Sequence, residues 1–376
     1  MTSTLKGFAE TLPGSEGVVD VLSEVLRVVR LTGAIHFNAG FTQPWSFMTS
    51  PPGLLAARLM PGAEAITLFH VATSGSSWVT CGSIAPIRID AGDVIVFPRG
   101  DQHVMTSDLD LTPVPISSIM PKIAMNQITL VKHGGGGEEA RFVCGYLHSD
   151  QRFSPLLDAM PALICVRVRN GTLVLEAFSE TGRNAVILGQ EAQWWQAALA
   201  RLISEATTLG QGNRALLARL SELLFMEVVR WQLRYASEGH RGWLAGLNDP
   251  YIGRVLALLH AEPARAWTVE ELAQRAALSR ATLAKRFVEL VGVAPMQYLA
   301  GWRMHLAKRL LRDSTLGLAE IAVRVGYDSE AAFNRAFSRV VGTPPGTWRQ
   351  AKAVPQARES GQADRETTGR FAQAAE

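Results

Sequence analysis

Residues 326–349 read "GYDSEAAFNRAFSRVVGTPPGTWR", and residues 278–299 read "LSRATLAKRFVELVGVAPMQYL". The second of these is an earlier copy of the first. Leu272-Ala273 falls on Ile321-Ala322, and Leu278 falls on Tyr327, at an offset of 49. After the turn the offset becomes 50, so that Leu283 falls on Phe333, Phe287 on Phe337, Gly292 on Gly342 and Pro295 on Pro345. Each copy reads as a short helix, a tight turn and a second helix opened by a serine. Ser279 and Ser329 suit the N-cap, because a short hydroxyl side chain accepts from the free N–H groups of the first turn. Ala273 and Ala322 are the small residues that let the first helix approach its partner, and Leu278 and Tyr327 plug the turn. This is the layout of a helix-turn-helix.

Helical geometry assigns the faces. Leu283 and Phe287 are four apart and point inward, as do Phe333 and Phe337. Arg280, Ala281, Ala284 and Lys285 are left outward in the first copy, and Glu330, Ala331, Asn334 and Arg335 in the second. Lys, Arg and Asn exposed on such a helix can reach base edges in the major groove of double-stranded DNA. The competing reading is a helical repeat used for protein contact. The stretch 294–313, "APMQYLAGWRMHLAKRLLRD", reads as one long helix that would act as a rigid spacer. Two recognition helices entering successive major grooves would sit about 34 Å apart.

The charge distribution agrees with an acidic polymer as the partner of this segment. Residues 249–352 hold 15 Lys and Arg against 9 Asp and Glu, whereas residues 1–248 hold 19 against 21 and residues 353–376 hold 3 against 4. A net charge of +3 over the whole chain hides this asymmetry. A solvated basic face is the plainer reading of the same numbers.

The chain is long enough, at 376 residues, for two or three domains, and 47% hydrophobic content supplies their cores. Its three cysteines, Cys81, Cys144 and Cys165, have no CxxC spacing, so neither a disulfide framework nor a zinc finger is indicated. A reducing, cytoplasmic setting fits. The N-terminus has no apolar core of a leader, and no run of 18 apolar residues occurs, so no membrane span is expected.

Upstream, "AITLFHVAT" (65–73), "SSWVT" (76–80), "APIRI" (85–89), "GDVIVFP" (92–98) and "TLVLEAF" (172–178) read as short strands of a β-rich domain, closed or sandwich-like. "HGGGGEEA" (133–140) reads as a flexible loop. From residue 190 the apolar period changes to that of a helix. In the second helical stretch Leu217, Leu220, Leu224, Val228 and Trp231 form an apolar stripe. Such a stripe either packs on its own domain or forms the seam of a homodimer. The expected domains are a tail (1–17), a β domain (18–187), a helical connector with a dimerisation option (188–248), the double helix-turn-helix (249–352) and a disordered tail (353–376).

The duplicated segment, with "WTVEELAQRAALSRATLAKRFVELVGVAPMQYLAGWRMHLAKRLL" followed by "EIAVRVGYDSEAAFNRAFSRVVGTPPGTWR", resembles the DNA-binding domain of AraC/XylS-type transcriptional regulators. The resemblance implies a seven-helix domain over about 249–351 in which Ala281, Ala284, Lys285, Ala331, Asn334 and Arg335 face DNA. Three of those six are alanines, able to offer only apolar contacts such as one to a thymine methyl. The polar readout then rests on Lys285, Asn334 and Arg335, with Arg280 and Arg286 at phosphates. In this family most members are activators, and RNA polymerase is the implied protein partner.

"GDVIVFPRGDQH" resembles the second cupin motif through Gly92, Pro98, Gly100 and His103. The first cupin motif should supply two histidines and a glutamate, but "LFHVATSGSSWV" supplies only His70. With "LRVVRLTGAIHFNAGFTQPWSF", "VCGYLHSD" and "LLDAMPALI", these stretches resemble the cupin-like sensor half, a β-barrel, found in one branch of these regulators. Three sensing modes are open. An effector pocket could be lined by Trp45, Phe47, His70, Trp78 and His103, which as a set could equally be core. A metal could sit on His70 and His103 with help from His36 or Cys144, although two histidines make a poor site. Cys144 resembles the position of a redox-active cysteine, but its partner near 34–37 is missing and Cys81 would have to substitute. No cofactor is called for. The rival is a cupin-fold metalloenzyme with a DNA-binding regulatory domain; the missing ligands argue against it, so no enzyme is expected. A weaker rival is an architectural DNA binder without base specificity.

Overall fold

The computed structural model describes residues 19–29, 32–33, 37–60, 62–120, 129–149, 154–180, 182–188, 192–208, 210–235 and 242–351. The two expected tails and His36 lie outside the described residues. The chain divides into two compact units, Val29–Ala245 and a second made of Met1–Val28 with Gly246–Glu376. The second begins with helix α1 (Val21–Val29), whose Val21, Leu22, Val25 and Val28 are buried.

The unit Val29–Ala245 opens with β1 (Thr32–Gly33), β2 (Phe37–Thr42), β3 (Ser46–Met48) and helix α2 (Pro52–Leu59). Next come β4 (Ala65–Ser74), β5 (Ser76–Cys81), β6 (Ile84–Asp90), β7 (Val94–Phe97), β8 (His103–Thr106) and β9 (Val114–Pro115). Short helix α3 (Ile116–Ile119) precedes β10 (Thr129–Gly134) and β11 (Glu139–Ser149). After α4 (Ser154–Asp158) an antiparallel meander follows: β12 (Leu163–Arg169), β13 (Thr172–Ser179) and β14 (Gly182–Leu188). Helices α5 (Ala192–Thr207) and α6 (Asn213–Tyr235) end the unit's regular structure before 242.

The expected cupin-like barrel is built as two facing sheets. One runs β10-β2-β11-β4-β7-β12-β13-β14, with β1 also on β11, and the other runs β6-β5-β8-β3-β9. Period-2 alternation aims one face of each sheet at a shared core. From the larger sheet come Phe41, Leu68, Phe97, Phe142 and Leu163; from the smaller come Phe47, Val79, Ile89 and Met105, all almost fully buried. Each such aromatic or aliphatic side chain contributes about 1.5–3 kcal/mol by leaving water.

The larger sheet is buried on its other face too. Phe69 and Val71 of β4, Val94 and Val96 of β7, and Leu147 of β11 meet Trp195, Leu199 and Leu202 of α5 and Leu224, Phe225 and Val228 of α6. The rings of Trp195 and Trp231 lie 5.1 Å apart. Asn38 of β2 donates to the carbonyl of Ala206 at 2.7 Å, and the Gly33 N–H donates to Glu222 at 3.0 Å. Leu224 and Val228 of the α6 stripe are therefore spent inside their own unit, where α5 and α6 pack on the larger sheet. The "HGGGGEEA" segment also differs from expectation. Gly135 and Gly137 N–H groups donate to the carbonyls of Thr42 and Gln43, so the four glycines form a pinned turn.

The division between units falls within α7 (Trp243–Asn248). Over 249–351 there follow α8 (Ile252–Ala261), α9 (Val269–Arg275), α10 (Arg280–Val291), α11 (Pro295–Asp313), α12 (Leu318–Arg324), α13 (Glu330–Val341) and α14 (345–351), seven helices in all. The long α11 serves both helix-turn-helix units. Its first half buries Tyr298, Leu299 and Trp302, and Tyr298 meets Phe287 of α10 edge-on. Its second half buries Met304, Ala307 and Leu311 against Ile321, Phe333, Phe337 and Trp348.

Candidate functional site

The two copies match bond for bond. The Leu278 N–H donates to the carbonyl of Ala273, and the Tyr327 N–H to that of Ala322, each at 2.9 Å. The Ser279 hydroxyl accepts from the Thr282 N–H at 3.1 Å, and the Ser329 hydroxyl from the Ala332 N–H at 3.2 Å. These are N-caps of the kind that relieve unsatisfied donors at a helix start. Both second helices end on a left-handed glycine, Gly292 at φ 85° and Gly342 at φ 84°. Leu283, Phe287, Phe333 and Phe337 are fully buried, so helices α10 and α13 each turn one face away from the core.

Arg280, Ala281, Lys285, Ala331 and Arg335 are exposed on those faces, with Ala284 and Asn334 half-buried. Arg280 pairs with Glu270 at 2.9 Å, both well exposed. Lys285 is 3.9 Å from Glu289, too loose to hold it, and Arg335 makes no ion pair among the described residues. Arg286 stands apart. Its Nε donates to Asp249 at 2.9 Å, its Nη2 reaches the same carboxylate oxygen, and its guanidinium lies 5.5 Å from the Tyr251 ring. The Arg286 side chain is thus engaged with the residues that lead into α8, which the spacing within α10 could not reveal. Exposed Thr282, one turn before Arg286, shares a hydrogen bond with the Ser279 hydroxyl at 2.8 Å and was not singled out from the sequence.

In the other unit a cavity of about 90 Å³ lies in the sandwich. Of the five residues expected to line a pocket, Phe47 and His70 do so. Trp45, Trp78 and His103 do not. Trp45 is buried in an aromatic cluster with Phe41, Phe47 and Phe142. The alternation on β5 sends Ser77, Val79 and Cys81 inward, leaving half-buried Trp78 on the opposite face, across from Arg88. His103 is buried behind His70, its ring stacked on Phe97 at 3.6 Å. The other walls come from β2, α2, β4, α3, β10 and β11, among them Phe37, Phe41, Leu55, Leu59, Val131 and Tyr146. Leu55 and Leu59, four apart in "PPGLLAARL", carried a helical signal for one wall; the rest needed strand register.

His70 and Cys144 sit directly opposite each other on β4 and β11, and both line the cavity. Their Nδ1 and Sγ are 2.9 Å apart, and the Nε2 atoms of His70 and His103 are 3.0 Å apart. His103 Nδ1 lies 2.9 Å from the carbonyl oxygen of Asp101, an acceptor only. That carbonyl fixes the tautomers: His103 carries its proton on Nδ1, His70 donates from Nε2, and the Cys144 thiol donates to His70 Nδ1. Burial, with His103 beside it, holds His70 well below its ordinary range, and burial takes His103 down to about 4. Burial pushes the Cys144 thiol up to about 12 and Cys81 up to about 11.

This arrangement does not fit a cupin metal. Among the described residues only His70 and His103 bring nitrogens together, and Cys144 meets His70 on the nitrogen turned away from that pair, so the donor set is too small. Among the described residues no group of three or more His, Cys, Asp or Glu is placed to hold a metal. Cys81, Cys144 and Cys165 are all free thiols. No helix among the described residues is long and apolar enough to cross a membrane.

Comparison with known proteins brings the two units together. A cupin family model matches residues 20–234, and a helix-turn-helix domain model matches residues 272–351. The chain is 32% identical over 294 residues to a putative AraC-like transcription regulator of Streptomyces lividans, covering 78% of this chain and 90% of that protein. It is 27% identical over 335 residues to the HTH-type transcriptional regulator AlkR of Acinetobacter baylyi, covering 88% and 99%. Among solved structures it is similar to the DNA-binding domain of AdpA in complex with a target DNA, at 38% identity over 27% of this chain and 92% of that one, with a TM-score of 0.27. The chain belongs to the AraC-type DNA-binding transcriptional regulators, with a cupin domain ahead of its double helix-turn-helix.

Proposed function

We propose that the chain acts in the cytoplasm as a non-enzymatic regulator that reads one DNA site of about two helical turns through α10 and α13. The observation that carries this is the duplication itself. Two matched recognition helices share one spacer helix, and each turns Lys, Arg or Asn outward. Lys285, Asn334 and Arg335 supply the polar base contacts; Ala281, Ala284 and Ala331 supply apolar ones; Arg280 meets phosphate. Arg286 is better read as an anchor to Asp249 than as a phosphate contact. The cupin unit carries the signal input, and effector binding shifts the population of DNA-competent chains. RNA polymerase is the protein partner of an activator of this type. A homodimer, if formed, uses a surface other than the α6 stripe.

The test is enrichment of fragmented genomic DNA on the purified chain, beside a Lys285→Ala/Arg335→Ala variant. The wild type should retain fragments sharing a motif of about 20 base pairs, and the variant should lose it. Equal enrichment by both would move the base contacts to other residues. Retention without any shared motif would mean phosphate binding alone, which carries no sequence preference.

A further inference from the structure

We propose that the cavity in the cupin unit binds an uncharged, compact, largely apolar molecule with at most one hydrogen-bonding group. The inference rests on the reading of this unit as the signal input and names the chemistry that unit would accept.

The first argument is the wall. Among the described residues no Asp, Glu, Lys or Arg lines the cavity, and its surface is almost wholly carbon and sulfur. An ion placed there would lose its hydration with no opposite charge to replace it, which excludes carboxylates, phosphates and amines as ligands. A sugar would leave several hydroxyls unpaired for the same reason.

The second argument is where the polar side chains point. His70 and Cys144 satisfy each other, and His70 completes its second nitrogen with His103. The Thr49 hydroxyl donates to the His103 carbonyl at 3.2 Å and accepts from the His103 N–H at 3.0 Å. The buried polar groups at the cavity floor are thus paired within the protein and demand nothing of a ligand. Neutral His70 adds no charge, as its lowered proton affinity requires.

The third argument is the void itself. Protein interiors pack about as densely as organic crystals, and a space lined by Leu, Phe and Val with no polar partners does not hold water well. The cavity is smaller than the engineered apolar cavity of about 150 Å³ that stays dry and takes benzene, so a ligand no larger than benzene, of about six heavy atoms or fewer, is its match. Of the other voids in this unit, the one under α5 and α6 is about 30 Å³, too small to compete, and the one of about 250 Å³ beside α2 is bordered by Glu64 and Arg99, so it is not an apolar site.

The experiment uses the full chain and titrates it by calorimetry with 1-butanol, cyclopentanol and benzene, and in parallel with butanoate and butylammonium. Val131→Phe and Leu59→Phe fill the cavity from β10 and from α2, each checked for a cooperative thermal melt. The expected result is saturable binding of at least one neutral probe, at least tenfold tighter than either ion, and weakened at least tenfold by whichever filled variant melts cooperatively. The proposal is overturned if no neutral probe binds, if either ion binds as tightly, or if the filled variants bind like the wild type. Affinity for the enriched DNA is measured with and without the bound probe. Probe binding that leaves DNA affinity unchanged would keep the ligand class and remove the signal-input reading. DNA recognition that persists while every neutral probe fails would keep the regulator and remove the ligand class.

Discussion

Cys144 Sγ lies 2.9 Å from His70 Nδ1 and donates its proton to it, at the start of a chain that runs through His103 to the Asp101 carbonyl. Every member of that chain is neutral. A thiol beside a histidine usually suggests an activated nucleophile, but here burial wins: the thiol stays protonated, and the imidazole is too poor a base to take its proton.

The three thiols should accordingly be inert in the native chain. Burial pushes Cys144 and Cys165 up to about 12 and Cys81 up to about 11. At pH 8 a disulfide reagent such as DTNB should release its chromophore slowly from folded protein, and three equivalents at once in guanidinium. A Cys144 that labels in the native state at the rate of a free thiol would contradict the assigned proton chain.

The internal repeat contains its own control on backbone strain. Ala277 and Gly326 occupy the same turn position, at φ 55° and 84°. A left-handed conformation costs an L-residue about 1–2 kcal/mol, partly offset by the entropy glycine loses on folding. Ala277→Gly should therefore raise stability by up to about 1 kcal/mol. Gly326→Ala should lower it by about 2 kcal/mol or more, because a Cβ there would also come within 2.6 Å of the Ala264 carbonyl oxygen. Urea melts of the two variants measure both signs.

Arg303 should be the residue that locks one helix-turn-helix to the other. Its guanidinium donates to the carbonyls of Pro263 at 2.7 Å, Arg265 at 2.9 Å and Gly326 at 3.0 Å. Arg303→Met keeps the stem and strands three acceptors, for an expected loss of about 2–3 kcal/mol. Hydrogen exchange should then show faster opening of the 263–265 and 326 segments. Unchanged exchange in both would show that α11 packing alone holds the units.

Acid should weaken the helix-turn-helix unit through His260. Its Nε2 shares a hydrogen bond with the Tyr298 hydroxyl at 2.8 Å, and burial takes its pKa from 6.5 to about 3. The folded state binds the proton less readily than the unfolded chain. Its stabilising share is therefore complete above pH 6.5 and is lost as pH falls, at about 1.4 kcal/mol per unit, until the folded group itself titrates. His260→Phe removes this share, so its Tm should fall less between pH 6.5 and 4.5 than that of the wild type. Parallel curves would assign the acid sensitivity elsewhere.

The double helix-turn-helix was legible in the sequence because its determinants are local. A serine cap, a buried pair four residues apart and a C-terminal glycine act within one helix and its turn, and the offset of about 50 residues repeats them. Strands with clean alternation, such as β5 and β13, were legible for the same reason. Which side of the sandwich a strand face meets was not. Trp78 turns away from the cavity because the register of β5 with β6 and β8 places Val79 and Cys81 inward. The cavity wall joins β2, α2, β4, α3, β10 and β11, and β2 lies between β10 and β11, which follow it by some ninety residues or more. Arg286 looked free from within α10, and only the approach of Asp249 shows it engaged. Capping and helical period are short-range and written into neighbouring residues. Pairing, burial and the state of a titratable group depend on what the chain folds against, so tertiary structure alone decided the cavity, the neutral proton chain and which side chains of α10 and α13 stay exposed.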